Sequence, residues 1–208
     1  MKRTLNILTV LCLLMFAGTV NAQRKGETTM SLNYNYSLPL SGFKNDIITH
    51  NSPRGFSGSI MYSFNNKLSA GLFAGFQDYY QKYPRDVYDL SKDQQISAVL
   101  SNSVQTTTIL AKVKYSFLGA TASPIKPYIS AGAGANMISF TQYLGEFGGT
   151  DNSVSFTAQG GAGLSIPFGK FSLSGFQIGA NYNYVPYKRN GYSDLNSVDF
   201  YAGLHFRL

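Results

Sequence analysis

The sequence predicts an all-β protein, an eight-stranded antiparallel up-and-down transmembrane β-barrel. Three observations lead to this prediction. Only 13% of the 208 residues are charged, against about 25% in an ordinary soluble domain. Apolar and small polar residues alternate with period two along most of the chain, and the connections between these alternating segments are long and short in turn.

The first 22 residues have the features of a secretory signal peptide. Lys2 and Arg3 give a basic start, an apolar run follows from about Leu5 to Phe16, and the small residue Ala22 suits cleavage before Gln23. The apolar run is shorter than the roughly 20 residues that a membrane-spanning helix needs. We therefore predict that this segment directs export and is removed.

Cleavage at that point leaves residues 23–208, which we predict to form one outer-membrane β-barrel domain. The only cysteine, Cys12, is lost with the signal peptide, so we expect no disulfide and no thiolate metal site. Without Lys2 and Arg3, 15 of the 17 Lys and Arg residues remain, against 10 Asp and Glu. The predicted topology places this excess at the periplasmic turns, beside anionic headgroups. We therefore predict no nucleic-acid partner.

Eight segments carry the alternation that is typical of strands. In the first, Thr28, Met30, Leu32, Tyr34 and Tyr36 alternate with small polar residues. The apolar faces of the eight segments lie at about residues 28–38, 56–64, 68–76, 107–117, 129–137, 154–168, 176–184 and 198–208. Eight such segments in succession predict an up-and-down barrel.

The composition of the two faces indicates which one points outward. The polar face consists of Ser, Asn, Thr, Gly and Gln with scarcely any charge, which suits a narrow interior better than a water-facing exterior. The apolar face is then expected to meet lipid, with an aromatic belt at each interface. The predicted periplasmic belt is Phe64, Phe117, Phe168, Phe176 and Phe206, and the predicted outer belt is Tyr34, Tyr36, Phe56, Phe76, Phe156, Tyr182, Tyr184 and Phe200.

The connection lengths agree with an outer-membrane barrel, which has short periplasmic turns and long external loops. The predicted external loops cover about residues 39–54, 78–104, 139–153 and 186–197. The second of these mixes tyrosines with both signs of charge from Tyr79 to Tyr88, a composition suited to recognition. For this segment we favour strand extensions with solvated loop packing above the membrane, and a recognition surface is the alternative.

At this point the chain resembles the small eight-stranded outer-membrane β-barrel proteins of Gram-negative bacteria, the OmpA/OmpX type, and in particular the porin-like barrels of bacteroidetes. The resemblance is carried by Gly55–Gly58, Lys126–Gly134 and the final alternating strand, and it covers Gln23 to Leu208. It implies an outer-membrane location among lipid and lipopolysaccharide, with periplasmic chaperones and the barrel-assembly machinery as partners during biogenesis. It implies no particular extracellular partner.

Two histidines are the residues around which a catalytic or metal site would be built. His50 lies near Asp46 in the first loop, and His205 shares the predicted interior face of the last strand with Asp199. Neither has a second His or Cys nearby in the sequence, as a metal site would require. We predict no catalytic, metal or cofactor-binding residues and no cofactor, and expect His205 to be a hydrogen-bonded interior residue.

Lys112 and Lys114 fall on the predicted interior face of the fourth strand. Buried lysines need counter-charges or water, so we expect a structural network with Asp199, Tyr128 and Tyr201. The alternative is a polar path for small anions. An eight-stranded barrel has an interior just wide enough for side chains, which weighs against a broad pore.

Two glycine pairs, Gly132 with Gly134 and Gly161 with Gly163, superficially suggest a nucleotide-binding loop. Their strand spacing and interior phase indicate instead that they relieve crowding inside the barrel.

The two ends of the barrel domain should meet, because closure pairs the first and last strands. Glu27 and Arg207 have the interior phase and lie at the periplasmic ends of these strands. We predict that they approach each other across the seam; two independently hydrated charges are the alternative.

The predicted function is that of a non-enzymatic outer-membrane barrel whose loops contact the surroundings or neighbouring surface components, in adhesion or in envelope integrity. The alternatives are a narrow passive channel for small solutes, a lipid-modifying enzyme with His205 as base, and a soluble lipocalin-like binder.

Overall fold

The computed structural model describes residues 26–91, 94–119, 123–145, 147–169, 172, 174–189 and 192–208. The predicted signal peptide and its cleavage site lie outside these residues. The strands are β1 (Thr28–Pro39), β2 (Ser52–Ser63), β3 (Leu68–Ser91), β4 (Gln94–Ser116), β5 (Lys126–Leu144), β6 (Phe147–Pro167), β7 (Gly175–Tyr184), β8 (Lys188–Arg189), β9 (Tyr192–Ser193) and β10 (Ser197–Arg207). A short π-helical turn, Phe43–Ile47, follows β1.

Eight of the described strands form one closed antiparallel barrel, in the order β1-β10-β7-β6-β5-β4-β3-β2. Each wall strand pairs with its neighbours in sequence, apart from the small β8–β9 hairpin between β7 and β10. The predicted eight-stranded up-and-down barrel is thus confirmed. Closure leaves the wall with no unpaired edge. A sheet in lipid must be closed in this way, because no water is present to hydrogen-bond free backbone groups.

The closing seam is a continuous β1–β10 ladder from Thr29 opposite Arg207 to Pro39 opposite Ser197. At its periplasmic end, Arg207 Nη1 lies 3.7 Å from Glu27 Oε1. The predicted approach of these two residues is confirmed. Because the arginine side chain is largely exposed, this ion pair contributes at most about 1 kcal/mol and marks the register more than it stabilises the barrel.

The seam register can be tested with pairs of cysteines on the outward face. Leu32 lies directly opposite Leu204, whereas Met30 lies opposite Phe206. We expect Leu32→Cys with Leu204→Cys to form a disulfide on oxidation, because directly opposed Cα atoms lie within disulfide range. The measurement is the altered mobility of the denatured, non-reduced chain on a gel.

Met30→Cys with Leu204→Cys is the matched control, since these two positions are diagonal neighbours and are too far apart for an efficient disulfide. Stronger linkage in the diagonal pair than in the opposed pair would mean that the register is shifted by two residues. No linkage in either pair of the folded protein would contradict closure.

The outward face of the wall is apolar, as predicted. Leu72 on β3 has 65% of its surface exposed, and Leu32, Ile60, Ile109 and Phe200 on other strands are likewise outward and exposed. The residues that alternate with them along each strand point inward, and many of these are buried Ser, Asn and Gln residues. The prediction that the apolar face points outward and the charge-poor polar face points inward is therefore confirmed.

The second and third predicted external loops are largely strand, because β3, β4, β5 and β6 continue through them. For the second, this confirms the interpretation as strand extensions. The β3–β4 ladder runs on from Tyr79 opposite Val104 to Ser91 opposite Gln94, and the β5–β6 ladder reaches Leu144 opposite Phe147. These extensions satisfy their backbone groups by pairing with each other. They do not need an apolar face toward lipid, so the alternation that marks the wall fades there.

We call these extensions the outer blade, defined as residues 79–91, 94–106, 138–144 and 147–157. The wall pairing of β2 with β3 ends at Asp78, and that of β7 with β6 ends at Ala158, so both flanks of the blade are free of a further strand. The register shifts between Lys82 and Arg85. Pro84 lies in this bulge, where its missing N–H costs no ladder hydrogen bond.

Candidate functional site

The outer mouth of the barrel is closed by a small apolar core, which we call the cap. It joins the π-helical turn after β1 and the segment between β7 and β10 to interior-facing residues at the tops of β3, β4 and β5. Its buried members are Phe43, Ile47, Ile48, Tyr79, Val104, Ile138, Val185, Tyr187 and Leu195. The first and last external connections, which were predicted as long loops, are therefore packed into the mouth.

Specific contacts hold the cap in place. The rings of Phe43 and Tyr79 meet edge to face at 4.7 Å between centroids. Asn102 Nδ2 donates to the carbonyl of Ile47 at 3.2 Å, and the backbone N–H of Val185 donates to Asn196 Oδ1 at 3.0 Å. Because buried backbone groups are paired in this way, the connections can enter the mouth without leaving unsatisfied polar atoms.

Below the cap, Asp199 is the centre of a satisfied polar cluster. Its Oδ1 accepts from Ser37 Oγ at 2.5 Å, and its Oδ2 accepts from Asn183 Nδ2 at 2.6 Å. Tyr79 Oη lies 2.6 Å from Ser37 Oγ and so links the cap to this cluster. Asp199 thus fixes the upper interior through hydrogen bonds rather than through an ion pair.

The two interior lysines lie deeper and have no carboxylate partner among the described residues. Lys112 Nζ donates to Gln159 Oε1 at 2.7 Å and lies 4.7 Å from the ring centroid of Phe73. Lys114 Nζ lies 5.2 Å from the ring centroid of Tyr128. The expected network is present for Lys112: Gln159 Nε2 donates in turn to Asn183 Oδ1 at 2.8 Å, and Asn183 donates to Asp199. Neither lysine contacts the carboxylate of Asp199 directly.

A pair of tyrosines crosses the interior at this level. Tyr128 Oη and Tyr201 Oη are 2.8 Å apart. Gly163 makes room for them, because a Cβ there would lie 2.6 Å from Tyr201 Oη, 2.7 Å from the carbonyl oxygen of Ile178 and 2.8 Å from the Tyr128 ring. The interpretation of this glycine as a relief of crowding is confirmed.

The sequence matches the family model described as "Outer membrane protein beta-barrel domain" over residues 8–207. The chain belongs to this family. Among solved structures, it is similar to Ail, the attachment invasion locus protein of Yersinia pestis, with 17% identity, a TM-score of 0.52, and coverage of 88% of this chain and 100% of that one. It is also similar to the outer membrane protein OprG from Pseudomonas aeruginosa, with 12% identity, a TM-score of 0.51, and coverage of 91% and 99%.

At these identities the solved structures support the fold alone. No protein of curated function matches the sequence.

The family places this barrel in the outer membrane, so its exposed apolar wall faces lipid. The two aromatic belts then lie at the two interfaces; in the outer one, the rings of Phe56 and Phe76 are 5.4 Å apart on adjacent strands.

The histidines of this outer-membrane barrel do not assemble a triad in the described residues. His50 is exposed after the first turn, whereas His205 is buried, with Nε2 3.2 Å from Ser165 Oγ. Asp199 shares the interior face with His205, as predicted, but its oxygens are occupied by Ser37 and Asn183. The Ser165–His205 pair therefore lacks the acidic residue that orients a catalytic histidine.

In the described part of the chain, no group of three or more His, Cys, Asp or Glu side chains is placed to hold a metal ion. Within the same residues, no helix has the length and hydropathy that a membrane crossing requires.

Proposed function

We propose that this protein is a non-enzymatic surface-contact protein, in which the outer blade is the part that meets extracellular partners. The observation that carries the proposal is the blade itself, since four paired strands continue outward from the outer aromatic belt, whose Phe156 lies at the base of the blade. The extension of β4 comprises residues 94–106, which at about 3.4 Å per residue is roughly 40 Å along the strand. Such a projection adds nothing to the lipid-facing wall.

Exposed apolar side chains on the blade support this role. Phe147 has 67% of its surface exposed, and Tyr80, Val87 and Tyr143 are also exposed. Exposed apolar groups along a water-facing projection are characteristic of a contact surface. Aromatic residues beside small polar ones, as on this blade, give large contact area with little loss of side-chain entropy.

The closed mouth favours surface contact over the channel alternative. The cap fills the outer end of the barrel with buried apolar side chains, and Lys112, Phe73 and the Tyr128–Tyr201 pair occupy the interior beneath it. A solute would have to displace both layers. The filled interior supports the proposal that the external surface makes the contacts with partners.

The test is a protein with a shortened blade. Arg85 and Val99 are directly paired, so residues 86–98 can be replaced by Asn-Gly, which closes a two-residue hairpin. Asn102 must be kept because it holds the cap through Ile47. In a non-adherent Gram-negative host, we expect the intact protein to increase cell retention on at least one of three surfaces: hydrophobic glass, an epithelial monolayer and a lawn of the same bacteria. The shortened protein, which keeps Tyr80, Tyr143 and Phe147, should reduce retention markedly, and adding Tyr143→Ser with Phe147→Ser should reduce it to the level of the empty host.

Two controls make this result specific. The shortened protein must keep its heat-modifiable gel mobility, because the wall below the blade is unchanged. Tyr143→Ser with Phe147→Ser keeps the blade length and should weaken retention, whereas Lys67→Ala in the periplasmic turn should have no effect. Equal retention by the intact and shortened proteins, both folded, would overturn the proposal.

A further inference from the structure

We propose that the periplasmic half of the barrel interior holds one small inorganic anion of halide size, bound between Lys112, Lys114 and the hydroxyl of Ser130. The proposal concerns the interior of the barrel and is independent of any role for the outer blade. It depends on a cavity, on the charges that line it and on polar atoms that have no partner.

The site is a cavity of about 40 Å³ on the periplasmic side of Phe73. A water molecule needs about 10–15 Å³ of such space, so the cavity can accept an ion together with one or two waters. Thr29, the second residue of β1, and His205, near the end of β10, also line it. Their positions place the cavity toward the periplasmic end of the barrel, away from the cap.

The charges around this cavity are all positive. Lys112 and Lys114 line it, and no Asp or Glu is among the described residues that do so. The interior carboxylate, Asp199, lines a separate cavity of about 30 Å³ under the cap, and both its oxygens already accept hydrogen bonds. Lys112 is linked to Asp199 through Gln159 and Asn183, but no such link joins Lys114 to a carboxylate in the described residues. An ammonium group held away from bulk water is costly unless an opposite charge accompanies it.

Donors at the cavity are also left without acceptors. An ammonium group has three N–H donors; Lys112 uses one on Gln159, and Lys114 contacts only the face of the Tyr128 ring among the described residues. Ser130 is 8% exposed, and its hydroxyl has no hydrogen-bond partner in the described part of the chain. An anion between these groups would accept from both lysines and from the serine, and so would satisfy the charge and the hydrogen bonds together.

The unpaired ring nitrogen of His205 is also consistent with an anion at this end of the barrel. Its Nδ1 is buried without a partner, while Nε2 faces Ser165. When the Ser165 hydroxyl donates to Nε2, the proton of the neutral ring resides on Nδ1, which adds a further donor at this end of the barrel. Buried unpaired polar atoms are few in native proteins, and three of those in the described residues line this cavity: Ser130 Oγ, His205 Nδ1 and Asn181 Oδ1. The first two can donate to an anion, whereas the Asn181 oxygen can accept from a lysine or from an accompanying water.

The direct test is anomalous diffraction from crystals of the folded protein soaked in sodium bromide. We expect a bromide peak in this cavity within about 3.5 Å of Lys114 Nζ, a distance that suits a hydrogen bond to a large anion. Water density in the cavity, with bromide found only on the outer surface, would overturn the proposal. This measurement uses the unmodified chain and does not depend on whether a variant folds.

A solution test uses the thermal unfolding of the detergent-solubilised barrel in chloride and in gluconate at equal ionic strength. Because gluconate is too large for the cavity, chloride should raise the unfolding temperature saturably, by roughly 2–4 °C. Lys114→Met should abolish this difference. Lys67→Met removes the same charge from the exposed periplasmic turn and should retain it; an equal chloride response in both variants would assign the effect to the surface and contradict the site.

Discussion

Leu72→Arg should strongly impair insertion of the barrel. Leu72 lies near the middle of the membrane-spanning part of β3, points outward and has 65% of its surface exposed. An arginine on the lipid face near the bilayer midplane costs about 2–4 kcal/mol. The measurement is the folded fraction, followed by heat-modifiable gel mobility, after refolding into liposomes.

Ser69→Arg is the matched control on the same strand. Ser69 has the interior phase, and its hydroxyl lies 3.1 Å from Ser63 Oγ near the periplasmic end of the barrel. An arginine there reaches water at the rim, so we expect insertion to proceed with a much smaller loss. Normal insertion of Leu72→Arg, or a block caused only by Ser69→Arg, would mean that the faces of β3 are assigned the wrong way round.

Gly163→Val should prevent the barrel from closing around its interior tyrosines. The added Cβ would lie 2.7 Å from the carbonyl oxygen of Ile178 on the neighbouring strand, in addition to its overlaps with Tyr128 and Tyr201. Tyrosine rings can turn, but a backbone carbonyl in a closed ladder cannot move away cheaply. Overpacking of a filled interior costs about 1–3 kcal/mol or more, and we expect a large fall in the urea midpoint of unfolding.

Gly160→Val provides the comparison, because a Cβ at Gly160 meets nothing within 4 Å. Gly160 lies on the same strand but on the outward face, where an added valine extends the apolar wall. The expected result is a midpoint equal to or slightly above that of the unmodified barrel. If both variants lose stability to the same extent, the loss reflects glycine backbone effects and not interior crowding.

The wall of this barrel was predictable because lipid imposes a simple rule on it. An outward residue such as Leu72 meets hydrocarbon and an inward one such as Ser69 meets the polar interior, so the period-two pattern is read directly from the sequence. The phase then places Glu27 and Arg207 at one end of the seam. Even so, only the structure gives their 3.7 Å separation, since register depends on ladder pairing that composition does not encode.

The outer blade and the cap were not predictable in the same way, because water replaces lipid above the outer belt. There the strands lose their apolar face, and the pattern resembles that of a loop. A signal for the cap was present: Tyr79, Val104 and Ile138 are large apolar residues in the interior phase, where the rest of the wall is mostly small and polar. Their contact partners, Phe43 and Val185, come from connections whose folding into the mouth no local pattern indicates.

The β1–β10 seam has a consequence for how the barrel folds. Ser37 and Asp199 are hydrogen-bonded across it although 162 positions separate them in the chain, whereas the other wall ladders join neighbouring hairpins. Contacts of such long sequence separation form slowly. Until β10 docks, the growing sheet has two unpaired edges, β1 on one side and its most recent strand on the other, and both can pair with other chains. The period in which the sheet is partly formed and β10 has not yet docked on β1 is therefore when this protein is most exposed to aggregation.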